Sequence, residues 1–184
     1  SMSVQIQYKV EGFAELMNQL NSFKEEIGKQ KTDRIWRNLV KKSAEPILQA
    51  VKAGAPKDTE QLADRIYMKV RRPRRQDKTG KFYAGEEYFA RILASPLRDE
   101  SRKHLVLTKR KKKNGDAIFT TVWRGKKPVA VSQEFGNARV PATFFMRNGL
   151  KRAQRQSIDL MVGLLKIEIA ELSRKRNRAA SARG

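Results

Sequence analysis

The sequence contains no cysteine, which removes disulfides, thiolate nucleophiles and every Cys-based zinc or iron–sulfur site. That leaves the compartment open and favours the cytosol. There is a single histidine, His104. A Ser-His-Asp triad would have to be built on it, yet it stands in a run with strand periodicity, where a packed or surface role is the ordinary one. Neither the Walker pattern nor G-x-G-x-x-G occurs, so no glycine-rich phosphate loop is present. No apolar run approaches the roughly 18 residues of a membrane span, and the first residues lack the apolar block of a secretory signal. A soluble chain without membrane contact is expected.

Acidic residues are also scarce. A carboxylate-built magnesium site would draw on Glu86, Glu87, Asp99, Glu100 and Glu134. The adjacent pairs point in different directions on any helix or strand, and no second acidic motif follows at an informative spacing. No catalytic residue, metal site or cofactor is expected, and the chain reads as a protein other than an enzyme.

Cations, by contrast, are abundant: 41 Lys and Arg against 19 Asp and Glu give a formal charge of +22 in 184 residues. A field of this sign attracts polyanions, meaning nucleic acid, an acidic protein surface or anionic lipid. The length suits one domain. Two clusters stand out as candidate polyanion or partner contacts. Arg71, Arg72, Arg74 and Arg75 surround Pro73, and Lys109, Arg110, Lys111, Lys112 and Lys113 run consecutively. Tyr83, Tyr88 and Phe89 lie near basic residues and are candidates for stacking on bases, although core packing is the commoner fate of such rings.

Hydrophobic periodicity divides the chain. Residues 4 to 10 alternate with period two, predicting a strand, and Phe13, Leu16, Met17, Leu20 and Phe23 recur at helical spacing. Trp36, Leu39, Val40, Ser43, Ala44, Ile47, Leu48 and Val51 form one stripe of a helix from about Lys31 to Ala53, with Pro46 inside it as a kink site. Asp58 reads as an N-cap of a short helix that gives way to a strand ending at Arg72. Tyr88, Phe89, Ile92 and Leu93 suit a brief helix. His104 to Thr108 and Ala117 to Trp123 flank Asn114-Gly115, a type I′ hairpin pair, so a long hairpin with a basic tip is expected. Val129 to Phe135 offers a further strand. The last helix runs from about Ala142 to Leu172, roughly 45 Å, and residues 173 to 184 read as a disordered basic tail. The elements amount to an α+β domain over residues 2–172 with an antiparallel sheet of about four strands, the hairpin included.

Several stretches in order resemble the head-to-tail joining proteins of long-tailed phages and prophages, the gene-product-ten or minor tail-completion family. Val10-Glu11-Gly12-Phe13-Ala14-Glu15-Leu16 is similar to its strand followed by a Gly-Leu-x-Glu-Leu helix. Val51-Lys52-Ala53-Gly54-Ala55-Pro56 and Asp58-Thr59-Glu60-Gln61-Leu62 resemble its Ala-Lys-x-x-Ala-Pro and Thr-Gly-x-Leu steps. Glu134-Phe135-Gly136 and Pro141-Ala142-Thr143-Phe144-Phe145 resemble its Glu-Phe-Gly strand end and Pro-Ala-x-Pro-Phe helix start. Glu60 replaces the usual Gly, Thr143 stands where Pro is common, and residues 73–103 look like an insertion.

The resemblance implies a sheet packed against two long helices and a structural virion component that joins head to tail by stoichiometric assembly. The partners it implies are other neck and tail proteins, in a homo-oligomeric ring of about six copies that exists as a monomer when isolated. Its place is the virion, and the bacterial host cytoplasm during assembly. The alternative from charge alone is a basic nucleic-acid-binding protein, with DNA against the two clusters.

Overall fold

A computed structural model describes residues 4–5, 13–57, 61–81, 88–95, 103–123 and 143–184. Helix α1 covers Phe13–Ser22, a single turn α2 Lys24–Ile27, and the long helix α3 Lys29–Gly54. All eight positions of the apolar stripe read from the sequence are buried on α3. Pro46 lies inside the helix, where its ring leaves the Lys42 carbonyl without a backbone donor.

After α3, one 3-10 turn at Leu62–Arg65 leads into strand β2, Ile66–Arg71. The helix start assigned to Asp58 lies outside the described residues. Gln61, at the entry of the turn, holds a left-handed backbone (φ 56, ψ 40) that disfavours a side chain with a Cβ. Gln61→Gly should therefore raise stability by roughly 0.5–1 kcal/mol, the relief of strain less the added freedom of the unfolded chain. Its urea midpoint should rise, and an unchanged or lower midpoint would contradict this.

A single turn α4, Arg75–Lys78, precedes strand β3, Phe89–Ala94. The brief helix expected here is a strand, and it is the middle of a three-stranded antiparallel sheet in the order β1-β3-β2, with β1 at Val4–Gln5. Met68 faces Ile92 in the register of β2 with β3, and Val4 faces Ile92 in that of β1 with β3. Phe89, Ala90, Ile92 and Leu93 are all buried. A short, nearly continuous apolar run of this kind has no periodicity that separates a covered strand from a buried helix. The stretch 73–103 thus carries the central strand of this sheet.

Strands β4 (Lys103–Lys111) and β5 (Ala117–Trp123) form a second sheet of two strands. Class, antiparallel pairing and hairpin are as expected, but among the described residues the hairpin pairs only with itself instead of extending the other sheet. The strand expected at Val129 to Phe135 lies outside the described residues.

Helix α5 spans Phe145–Ala182, 38 residues and about 57 Å. Residues 173–182, expected as part of a disordered tail, continue this helix. No Gly or Pro interrupts 164–183, and Arg, Lys and Ala are good helix formers. Glu171 and Lys175 pair at 3.5 Å one turn apart, and Arg176 reaches Glu26 at 2.6 Å with its guanidinium 3.9 Å from the Phe23 ring centroid. The Arg176 contacts fasten the start of the extension to Phe23, between α1 and α2, and to α2 itself.

Helices α3 and α5 run antiparallel, since Val51 near the end of α3 meets Gly149 near the start of α5, and Ser43 meets Ser157. Gly149, Ala153, Ser157, Met161 and Leu165 form a buried row at spacing four. Buried Ser157 donates its hydroxyl to the Ser43 carbonyl at 2.6 Å, so the polar atom in the seam is satisfied. One core cluster joins Ile47, Val51, Leu62, Ile66, Ile92 and Met146; the other joins Leu20, Trp36, Leu39, Met161, Leu165 and Leu172. Both draw on α3 and α5, leaving the hairpin outside either core.

Candidate polyanion and partner surface

The four arginines around Pro73 divide into two kinds. Arg71 leaves β2 and grips Asp77 of α4 with both terminal nitrogens, at 2.7 and 3.2 Å, while its guanidinium lies 5.9 Å from the centroid of the buried Phe89 ring. Asp77 also accepts the Arg74 backbone N–H at 2.6 Å, fixing the entry to α4. Its carboxyl is held down to about 2, first by Arg71 and then by that N–H, and Arg71 is raised in return.

Arg72 turns the other way and donates to Asp33 of α3 and to the Tyr88 hydroxyl, each at 3.0 Å. Tyr88 itself donates to Asp33. Arg37, one turn beyond Asp33, completes the group at 2.8 Å. The Tyr88 ring is stacked against Trp36 at 6.4 Å between centroids. Asp33 is lowered to about 2, chiefly by the Tyr88 hydroxyl and then by the Arg37 and Arg72 guanidiniums, against the cost of burial. Burial, followed by the Asp33 contact, pushes Tyr88 up to about 12, so the phenol remains a donor. Arg71 and Arg72 are therefore each engaged by a carboxylate, the second while still half exposed, whereas Arg74 and Arg75 stand exposed.

Both clamp carboxylates titrate below an unfolded aspartate near 3.9. Their stabilisation is complete above about pH 4 and is lost as pH falls through about 2. Asp33→Asn should thus lower the melting temperature at neutral pH, and the gap from wild type should close between about pH 4 and pH 2. Parallel melting curves across that range would refute the clamp.

The second cluster sits at the end of the hairpin. Gly115 donates to the Lys112 carbonyl at 2.9 Å, and Lys112 donates to that of Asp116 at 2.9 Å. Gly115 takes φ +88, whereas Asn114 is not among the positive-φ residues. This is a three-residue loop with a glycine bulge rather than the expected two-residue type I′ turn. Asn114 favours this loop by bonding to Asp116 through both its amide oxygen (3.1 Å) and nitrogen (2.6 Å). Just before the loop, β4 takes four steps from Leu107 to Lys111 while β5 takes two from Phe119 to Ala117, an irregularity that twists and re-aims the tip.

Lys109, Arg110, Lys111, Lys112 and Lys113 are all exposed. Among the described residues, none has a carboxylate within ion-pair distance. Arg174 and Arg178 add exposed cations along the end of α5.

Of the other candidates, Tyr88 and Phe89 are engaged in packing, and His104 is exposed on β4. Tyr83, Glu86, Glu87, Asp99, Glu100 and Glu134 lie outside the described residues. Among the described residues no group of His, Asp and Glu could hold a metal, and no helix is long and apolar enough to cross a membrane. The sequence reading missed the Asp33 clamp. Asp33 and Arg37 at spacing four were legible, but Arg72 and Tyr88 join them only through the β2–β3 register.

The molecule is an α+β scaffold of two antiparallel long helices and a small sheet, with cations gathered on projecting elements. Residues 14–136 match the model of a protein family described as "Bacteriophage HK97-gp10, putative tail-component". The chain belongs to this family of phage tail components, in agreement with the gene-product-ten resemblance, and its role is a structural one tied to the tail of the virion. No curated protein and no solved structure matches the chain.

Proposed function

We propose that the protein joins the phage head to the tail as a neck or tail-completion subunit, acting by stoichiometric assembly and not by catalysis. The observation that carries this reading is the tail-component match over residues 14–136. It falls on a chain whose two long helices leave a hairpin and a helix end free to meet neighbours. The subunits form a ring of about six copies between neck and tail proteins, and the isolated chain is a monomer. Assembly takes place in the host cytoplasm. The hairpin tip, Arg74, Arg75 and the end of α5 face polyanions there, DNA or acidic neighbours.

The +22 charge favours a second reading, a nucleic-acid-binding protein working alone. Negative-stain images of the chain with a tail-tube or connector protein separate the two. Rings of uniform diameter, absent from the chain alone, support assembly. A monomer that stays monomeric with those proteins and binds free duplex tightly and salt-sensitively supports the alternative.

A further inference from the structure

We infer that the β4–β5 hairpin is an arm that docks on an acidic protein, laying Leu105, Leu107 and Phe119 along an apolar strip and the Lys109–Lys113 tip against carboxylates. This names a class of partner within the assembly proposed above and rests on that reading.

The first observation is an inverted pattern. A strand pair with one wet face should turn polar side chains to water. Leu107 faces Phe119 across the hairpin and Leu105 faces Thr121, so these four share one side. Leu105, Leu107 and Phe119 are 71%, 61% and 59% exposed, against 36% for Val106 and for Val122 on the opposite face, where Thr120 and His104 are their partners. The more exposed face is thus the more apolar. A two-stranded hairpin gains little stability in isolation, and among the described residues these strands pair with no third one. A covered partner face would turn this exposed apolar area into binding energy.

The second observation, charge, selects the occupant. Five consecutive cations lie at the tip, and the nearby Asp116 carboxylate accepts from Asn114. A second copy brings another +22 and the same cationic tip, so electrostatics opposes it. DNA would satisfy the tip, but its phosphate rails offer nothing to the leucines and the phenylalanine. An apolar strip bordered by carboxylates satisfies both parts of the arm, and the register irregularity between Leu107 and Lys111 lets shaft and tip address two surfaces.

The test uses the full chain and three labelled probes: a capped peptide alternating Leu and Glu, its Ser–Glu counterpart of equal charge, and a mixed-sequence duplex. Binding is read by anisotropy at physiological salt. The Leu–Glu peptide should bind more than about tenfold tighter than the Ser–Glu peptide. Leu107→Thr with Phe119→Thr, which keeps strand propensity, should erase that difference and leave duplex affinity within about twofold. Leu105→Thr alone provides a milder variant should the pair disturb folding, and should narrow the difference.

Equal affinity for the two peptides overturns the proposal. So does a difference that survives the substitutions. Duplex affinity that falls with the double variant replaces it with a ribbon lying in a DNA groove. Self-association by sedimentation, lost in the same variant, replaces it with a second copy. Ring formation with neck proteins is measured separately, so a negative peptide result leaves the tail role standing, and absence of rings leaves the peptide result intact.

Discussion

Gly149→Ala is expected to lower the melting temperature by about 1–8 °C, the overpacking cost less the helix gain of alanine, and Gly149→Val to leave no cooperatively folded chain. A Cβ on Gly149 would lie 2.7 Å from the Val51 Cγ2 and 2.8 Å from both its Cα and its backbone nitrogen. Two of those three atoms are main chain, so no rotamer change in Val51 relieves the clash. The helices must part, and parting them loosens the whole row through Ala153, Ser157 and Met161. Overpacking of this kind costs about 1–3 kcal/mol, and each kcal/mol moves the midpoint by about 2–4 °C at this size.

The sign of the effect is diagnostic. Alanine is the better helix former by about 0.5–1 kcal/mol, so a glycine free of tertiary contact would gain from the change. Gly163 on the same helix meets nothing within 4 Å, and Gly163→Ala should raise the midpoint. Opposite shifts at two glycines of one helix, read by thermal denaturation, would locate the close approach. A rise at Gly149 would show that α3 and α5 do not touch there. Val51→Ala should rescue Gly149→Ala only in part, because the main-chain atoms of residue 51 stay where they are.

Periodicity revealed the helices because each buries one face. Trp36 to Val51 on α3 show the stripe without interference, and every member is buried. Periodicity failed at β3 because both sides of a central strand are covered, leaving Phe89 to Leu93 no alternation to read. It failed again beyond Leu172, where charge and low hydropathy resembled disorder although Arg176 is held by Glu26 and Phe23. The seam between α3 and α5 left a trace in the small residues Gly149, Ala153 and Ser157, which a pattern of large apolar side chains does not capture.

The candidate site was half legible for a related reason. Charge runs show where cations are, not which of them are already neutralised. The hairpin tip was readable because five consecutive cations at the end of a strand and its turn cannot all find local carboxylates. Arg71 and Arg72 looked equivalent to Arg74 and Arg75 in sequence, and only the fold brings Asp77 and Asp33 to the first two. That difference has a measurable signature in binding to a polyanion.

Replacing Lys109, Arg110, Lys111, Lys112 and Lys113 by glutamine should flatten the salt dependence of duplex binding by up to about 4.5 in the logarithmic slope, at about 0.9 for each phosphate that is no longer neutralised. Between about 50 and 200 mM salt, that slope corresponds to roughly a 500-fold smaller loss of affinity. The melting temperature should barely move, since the five side chains are exposed and outside both core clusters. Arg71→Gln with Arg72→Gln should do the reverse: Asp77 and Asp33 lose their cations and stability falls, while the slope changes by less than about 1 because both guanidiniums are already engaged by carboxylates. Binding isotherms over a salt series, with thermal melts of the same variants, read both quantities. A tip variant with an unaltered slope would remove the hairpin from polyanion contact. A clamp variant that flattens the slope without loss of stability would show that Asp33 and Asp77 release their arginines when a polyanion arrives.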